Sequence, residues 1–153
     1  MCEKKTLIVY ATRGGTTEEY AKAIISVLTD EFNIQADLVN LEKTGNPDLT
    51  LYQNIIVGTG IKMFRMHKEG ASFLGKKNFE EKNVGIFISS LMPREEVIKR
   101  YIDGILRKNS SLEPIAVEVF GGRITMFGRT SQDMVDIEKA KEWIRSLSDN
   151  ITR

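Results

Sequence analysis

Hydrophobic positions along the chain alternate between two kinds of pattern. Thr6-Leu7-Ile8-Val9-Tyr10 is a short, nearly continuous apolar run that ends in the turn and cap residues Thr12-Arg13-Gly14-Gly15-Thr16-Thr17. Such a run predicts a strand buried on both faces, followed by a loop. From Thr17 the period lengthens, and Tyr20, Ala21, Ile24, Ile25, Leu28 and Phe32 recur at helical spacing with Glu and Lys between them. Residues 34–39 alternate, as a half-exposed strand does. Asn46-Pro47-Asp48 punctuates the chain, and a single turn through Leu49 and Tyr52 is expected after it.

The same alternation continues to the C-terminus. Residues 54–58 and 84–88 read as buried strands, and 67–76 as a weak helix burying Ala71, Phe73 and Leu74. Pro93 opens a helix with Glu95 and Glu96 in its first turn, which suits the helix dipole. Its buried face is Val97, Ile98, Tyr101, Ile102, Ile105 and Leu106. Residues 114–120 form the last predicted strand, and Gln132 to Ser148 the last helix, burying Val135, Ile137, Ala140, Trp143, Ile144 and Leu147. Strands that alternate with helices imply an α/β fold, a five-stranded parallel sheet with helices on both faces. Ligands on such sheets bind beyond the carboxyl ends of the strands, at the switch point. That rule selects loops 11–17, 58–66 and 89–93. Loop 120–131 borders them if the strand order is 2-1-3-4-5.

Length and composition narrow the picture. The 153 residues correspond to one domain of ordinary size, spanning 1–153. Apolar residues make up 41%, which excludes low complexity and disorder. Lys plus Arg is 22 and Asp plus Glu is 21, so charge gives no reason to expect nucleic acid or a membrane surface. The single cysteine, Cys2, makes neither an internal disulfide nor a cysteine metal cluster, and reads as a solvated terminal thiol. His67 is the lone histidine, so no metal site built on several histidines is expected. The apolar run Leu7–Ala11 is too short for a signal sequence, and no stretch approaches the roughly 18 apolar residues of a membrane span. A cytoplasmic protein without membrane insertion is the expectation.

The loop after the first strand carries the clearest chemistry. Thr12, Thr16 and Thr17 supply hydroxyls, Gly14 and Gly15 let the backbone turn sharply, and the loop opens a helix whose free N–H groups face whatever sits there. This combination suits a phosphate. An ordinary tight turn with a Thr N-cap is the alternative. Neither G-x-x-x-x-G-K-[ST] nor G-x-G-x-x-G is present. No acidic pair follows the first strand and no aspartate ends the third, so a phospho-accepting aspartate pocket is excluded.

Residues 10–18, Tyr-Ala-Thr-Arg-Gly-Gly-Thr-Thr-Glu, resemble the flavodoxin phosphate loop, [ST]-x-[TS]-G-x-T after a strand. Thr12, Gly15 and Thr17 match it, and Gly14 replaces a hydroxyl residue. Residues 48–59 resemble the approach to the third flavodoxin strand. Residues 119–123, Val-Phe-Gly-Gly-Arg, are similar to the flavodoxin-domain subfamily that includes menaquinone-dependent protoporphyrinogen oxidases. The resemblance implies a doubly wound flavodoxin-like sheet of order 2-1-3-4-5 and bound FMN. It places the phosphate on Thr12, Arg13, Gly14, Gly15, Thr16 and Thr17. It places the ring among Thr59, Gly60, Ile61, Lys62 and Met63, with Ser89, Ser90 and Leu91, and with Gly121 and Gly122. Arg13 either pairs with the phosphate or faces water.

The chain also departs from that pattern. Typical flavodoxins are strongly acidic and stack aromatic side chains on the flavin. Here only Phe64 could stack, and the alternative for Phe64 and Met63 is packing in the core or at the rim. Lys62, Arg65 and Arg123 are candidate cations near the ring, or solvated surface charges. The resembling oxidases carry extra sequence where this chain has only the short connection from Gly121 to Ser131. An FMN-binding electron-transfer protein that docks with redox partner proteins is therefore expected. The alternative is an FMN-dependent oxidoreductase of the protoporphyrinogen oxidase type using a quinone or other acceptor.

Overall fold

A computed structural model describes residues 5–44, 46–126 and 129–151, so Cys2 lies outside the described residues. Five parallel strands form the body of the sheet. They are β1 (Thr6–Tyr10), β2 (Ala36–Asn40), β3 (Asn54–Lys62), β5 (Asn83–Ser89) and β6 (Ala116–Phe120), in the order β2-β1-β3-β5-β6. In chain order this is the expected 2-1-3-4-5 arrangement. A further two-residue strand, β4 (Arg65–Met66), folds back antiparallel on the end of β3, with Lys62 opposite Arg65. The antiparallel ribbon β7 (Arg123–Met126) and β8 (Arg129–Asp133) stands apart from the sheet.

Alternate residues of each central strand enter different cores. Leu7, Val9, Ile55, Val57, Val84, Ile86 and Ile88 face one side, packed with Phe73 and Leu74 of α2 (Lys68–Lys76) and with Val97 and Ile102. Ile8, Tyr10, Ile56, Phe87 and Phe120 face the other, against α1 (Thr16–Phe32) and α5 (Ile137–Ile151). This is why β1, β3 and β5 read as unbroken apolar runs. Fully burying one such aliphatic side chain contributes about 1.5–3 kcal/mol.

The helix between β5 and β6 starts after Pro93 as expected, but it is not uniform. α3 (Arg94–Val97) passes into a π-helical turn (Ile98–Ile102) and then into α4 (Asp103–Lys108). Val97 and Ile102 are buried, while Ile98, Tyr101, Ile105 and Leu106 pack partly buried against the same core. Ala71, expected in the core of α2, is only half-buried, and Gly70 takes the buried position.

The last helix corrects the sequence reading. It begins at Ile137, and Gln132 belongs to β8. The Asp136 carboxylate accepts the Lys139 N–H at 3.1 Å, three residues on, which is the N-cap bond. The Asp133 carboxylate accepts the Val135 N–H at 3.1 Å and closes a separate turn.

Candidate functional site

The carboxyl ends of β1, β3, β5 and β6 lie side by side, because these strands are neighbours in the sheet. Ala11 extends β1 by one bond, donating its N–H to the Gly58 carbonyl at 2.9 Å. The Thr12 hydroxyl then accepts the Gly15 N–H at 2.9 Å and closes the loop, leaving its own proton to donate outward. Gly15 is the N-cap of α1 at φ 86, a conformation that favours glycine. No side chain caps this helix, and its first backbone bond runs from Glu19 N–H to the Gly15 carbonyl at 3.0 Å. The preceding N–H groups have no intrahelical acceptor. A Cβ on Gly14 or Gly15 would meet nothing within 4 Å, so open space lies over the loop. The geometry is that of an anion cradle.

Two of the loop's charged and polar side chains are engaged elsewhere. Arg13 forms ion pairs with Glu42, and with Glu69 at 2.6 Å, so its guanidinium is spent on two carboxylates. Burial raises the Glu69 carboxyl, but the Arg13 hydrogen bond, a bond from its own backbone N–H and the Arg13 and Lys68 charges together hold the group below its ordinary value. The buried Thr17 hydroxyl lies 2.7 Å from the Ser89 hydroxyl at the end of β5. Thr12, Thr16 and the backbone amides therefore form the open part of the loop.

Behind the loop, β3 and β5 bring further polar groups together. Gly60 pairs with Ser89 in the ladder. A Cβ on Gly60 would come within 2.7 Å of His67 Nε2 and 3.1 Å of Ser89 Oγ, so both side chains gather at one strand end. The His67 backbone N–H donates to the Gly60 carbonyl at 3.0 Å. Burial, then the nearby Arg13 charge, holds the His67 imidazole below its ordinary value, which favours its neutral form. Thr59 Oγ1 is buried without a hydrogen-bond partner, beside Gly70 of α2.

The outer wall is apolar and fixed. Met63 and Phe64 form the two-residue turn between β3 and β4, with φ of 52 and 63. Positive φ at both central residues is what a type I′ turn requires, and without glycine or asparagine it costs about 1–3 kcal/mol per residue. The Tyr101 hydroxyl, on the π-helical turn, donates to the Phe64 carbonyl at 2.6 Å and holds the turn in place. Both side chains stand in solvent, Met63 at 84% exposure and Phe64 at 71%. Leu91 and Met134 are also exposed.

Ser90 and Gly122 complete the wall. The Ser90 N–H donates to the Phe120 carbonyl at 3.0 Å, and a Cβ on Gly122 would lie 3.3 Å from the Ser90 carbonyl carbon. Gly121 sits against the backbone of Met134, and its carbonyl accepts the Tyr20 hydroxyl. Arg123 pairs with Glu19 at 2.8 Å and Asp133 at 3.1 Å, so of the three candidate ring cations its charge is locally balanced. Lys62 and Arg65 form no ion pair with the described residues.

The sequence motif of the flavodoxin domain matches residues 7–142, almost the whole described chain. The chain belongs to the flavodoxin domain family. Solved flavodoxins share its architecture. One from Streptococcus pneumoniae TIGR4 superposes with a TM-score of 0.68 at 19% identity, covering 96% of this chain and 99% of that one. A Fusobacterium nucleatum flavodoxin variant bound to flavin mononucleotide gives 0.62 at 18% identity, covering 97% and 98%. Among curated proteins, the protoporphyrinogen IX dehydrogenase [quinone] of Escherichia coli K12 is 35% identical over 72 residues. That match spans 47% of this chain and 39% of the relative, well under half of its length.

The sixteen sequence-predicted residues lie at the carboxyl ends of the strands: on the loop after β1 and the first turn of α1, on the last four residues of β3 and the turn after it, at the end of β5 and the loop after it, and just after β6. Five residues at that end of the sheet carried no sequence signal. Tyr20, Glu42, Glu69, His67 and Tyr101 reach it only through the fold. Among the described residues no group of three His, Cys, Asp or Glu is placed to hold a metal ion. No described helix is long and apolar enough to cross a membrane.

Proposed function

We propose that this flavodoxin-domain protein binds FMN and serves as an electron-transfer protein between redox partners. The observation that carries the reading is the uncapped N-terminus of α1 under open space, with the Thr12 hydroxyl beside it. The residues fit the cofactor. The α1 amides and Thr12 would hold the phosphate, while residues 59–63, 89–91 and 121–122 would border the ring. FMN supplies one- and two-electron transfer, and the protein's part is to hold and tune it. Thr17 and Ser89 fix the loop against β5, and the environment of His67 disfavours a positive charge beside Gly60.

The test is a comparison of FMN with riboflavin. Losing a hydroxyl that donates to the phosphate costs about 1.5–3 kcal/mol, roughly 10- to 150-fold in affinity. Thr12→Ala should weaken FMN by that factor and leave riboflavin nearly unchanged. Equal loss for both ligands would place the phosphate elsewhere.

A second reading is a porphyrinogen oxidoreductase with a quinone acceptor, and the Escherichia coli relative favours it. The connection after β6 argues for the carrier. It runs on past the expected end at Ser131, because α5 begins only at Ile137, but it is a ribbon of two short strands tied back to α1 by the Arg123–Glu19 pair. Supplying protoporphyrinogen and menaquinone decides between them. Saturable porphyrin formation at about 1 per second or faster would establish the enzyme. Reversible reduction and reoxidation without porphyrin supports the carrier.

A further inference from the structure

We propose that the His67 imidazole, gathered with Ser89 and Thr17 at the foot of the anion cradle, is a further ligand of the FMN phosphate and binds it as the imidazolium. This rests on the FMN reading above, and the test separates the two.

Three observations carry the proposal. The first is position. His67 is the N-cap residue of α2, yet its side chain makes no capping bond. The ring lies over the end of β3 instead. The place that a Cβ on Gly60 would take is 2.7 Å from His67 Nε2 and 3.1 Å from Ser89 Oγ, so glycine at 60 leaves the ring its room. The Ser89 hydroxyl in turn lies 2.7 Å from that of Thr17, in the first turn of α1. A row of polar side chains thus leads from the imidazole to the cradle. The His67 N–H, bonded to the Gly60 carbonyl at 3.0 Å, fixes the residue there.

The second observation is that the ring is unspent. It is half-buried and makes no hydrogen bond among the described residues. Its nitrogens are available to a ligand. The third is charge. A phosphate monoester carries about −1.5 to −2 at pH 7. Arg13, the cation of the phosphate loop itself, is taken by Glu42 and Glu69. The amides and hydroxyls of the cradle bring no full positive charge.

The groups around the imidazole set its response. Arg13 of the loop after β1 and Lys62 of β3 disfavour its proton, while Glu69 of α2 and Glu42 of the loop after β2 favour it. Ser89 of β5 adds no charge. Burial tips that balance toward the neutral ring when no ligand is bound. A phosphate beside it reverses the balance, because an opposite charge within about 4–6 Å stabilises the charged form. FMN binding then draws a proton from solvent onto His67, and the imidazolium donates to a phosphate oxygen.

His67 is the single histidine of the chain, so its ring signals are followed directly by NMR in the isotope-labelled wild type. The imidazole should bind its proton about tenfold more tightly with FMN than without ligand. Riboflavin should leave it unchanged. His67→Gln should weaken FMN about tenfold at pH 6.5 and progressively less toward pH 8.5, with riboflavin affinity held. The ionisation of the phosphate near pH 6 is common to both proteins and cancels in their ratio. Calorimetry in buffers of different ionisation enthalpy should show more proton uptake on FMN binding by the wild type than by His67→Gln.

An imidazole titration that bound FMN leaves unmoved would overturn the proposal alone, as would an equal move with riboflavin. So would a His67→Gln loss that stays constant with pH, the mark of altered packing. A chain that binds neither FMN nor riboflavin would refute the FMN reading and this proposal together.

Discussion

The hydroxyls of Thr17 and Ser89 lie 2.7 Å apart in a buried contact, and they join the first turn of α1 to the end of β5. Two elements far apart in the chain are thereby locked together directly beneath the anion cradle. Removing one partner leaves the other hydroxyl buried and unpaired, a cost of about 1–3 kcal/mol. Ser89→Ala and Thr17→Val should each lower the urea unfolding free energy by about that amount. The double variant should lose less than the sum, because the second change removes the orphaned group. Strict additivity would show that the two hydroxyls do not interact.

The anion cradle was legible because its signal is local. Two adjacent glycines and three threonines between a buried strand and an amphipathic helix mark a sharp turn into a helix start, and Gly15 takes that place with no side-chain cap. The parallel strands were legible because both faces of β1, β3 and β5 are covered, which leaves no polar interruption. What the sequence hid depends on distant contacts or on weak local signals. Arg123 finds Glu19 across 104 positions, so no window along the chain could show that its charge is balanced. The β3–β4 turn lacks the Asn-Gly signature of its type, and β4 is two residues long. β7 and β8 are four and five residues long, too short for a strand pattern to stand out. The start of α5 was misplaced because Asp133 and Asp136 both cap turns, and only the second opens the helix.

Acid should weaken the fold through His67. Burial and the Arg13 charge, with a smaller push from Lys62, hold the imidazole below its ordinary value, against opposing pulls from Glu69 and Glu42. The folded value is depressed, so the unfolded chain binds the proton more readily. Stability is then fully present above the unfolded value of about 6.5 and falls as pH drops below it, until the folded group also titrates. Urea midpoints of the wild type should fall more between pH 7.5 and 5.5 than those of His67→Gln. Parallel declines would show that the imidazole does not carry the effect.

Alkali should act through Tyr52. Its hydroxyl donates to the Asp37 carboxylate at 2.6 Å, and that hydrogen bond, with burial and the Asp37 charge, pushes the phenol up to about 12. A raised folded value means that the stabilisation is complete below about pH 10 and is lost as pH rises from there toward 12. Asp37→Ala should return the phenol toward 10. An ultraviolet difference titration of variant against wild type should show one tyrosine ionising earlier. Superimposable curves would mean that the contact does not govern the titration.

Gly121 and Gly104 should respond to alanine in opposite directions. Gly121 follows β6 and packs directly on the Met134 carbonyl, which a Cβ would strike, while the Met134 N–H donates to the Gly122 carbonyl at 2.9 Å. The obstacle is backbone, so it yields only if the whole 121–134 junction shifts. Overpacking of this kind costs about 1–3 kcal/mol. The Gly121 carbonyl also accepts the Tyr20 hydroxyl, and the Asp136 N–H donates to the same hydroxyl at 3.2 Å. A shift there would move the α5 entry and the wall formed by Gly122 and Ser90 together. Gly104 lies inside the continuous helix that runs from the π-helical turn into α4, and a Cβ there would meet nothing within 4 Å. Alanine then only reduces the freedom of the unfolded chain and favours the helix by about 0.5–1 kcal/mol. Urea unfolding should give a lower midpoint for Gly121→Ala and a higher one for Gly104→Ala. FMN affinity should fall in the first and hold in the second. A Gly121→Ala protein as stable as the wild type would show that the junction is loose and that the β6 loop does not set the wall of the site.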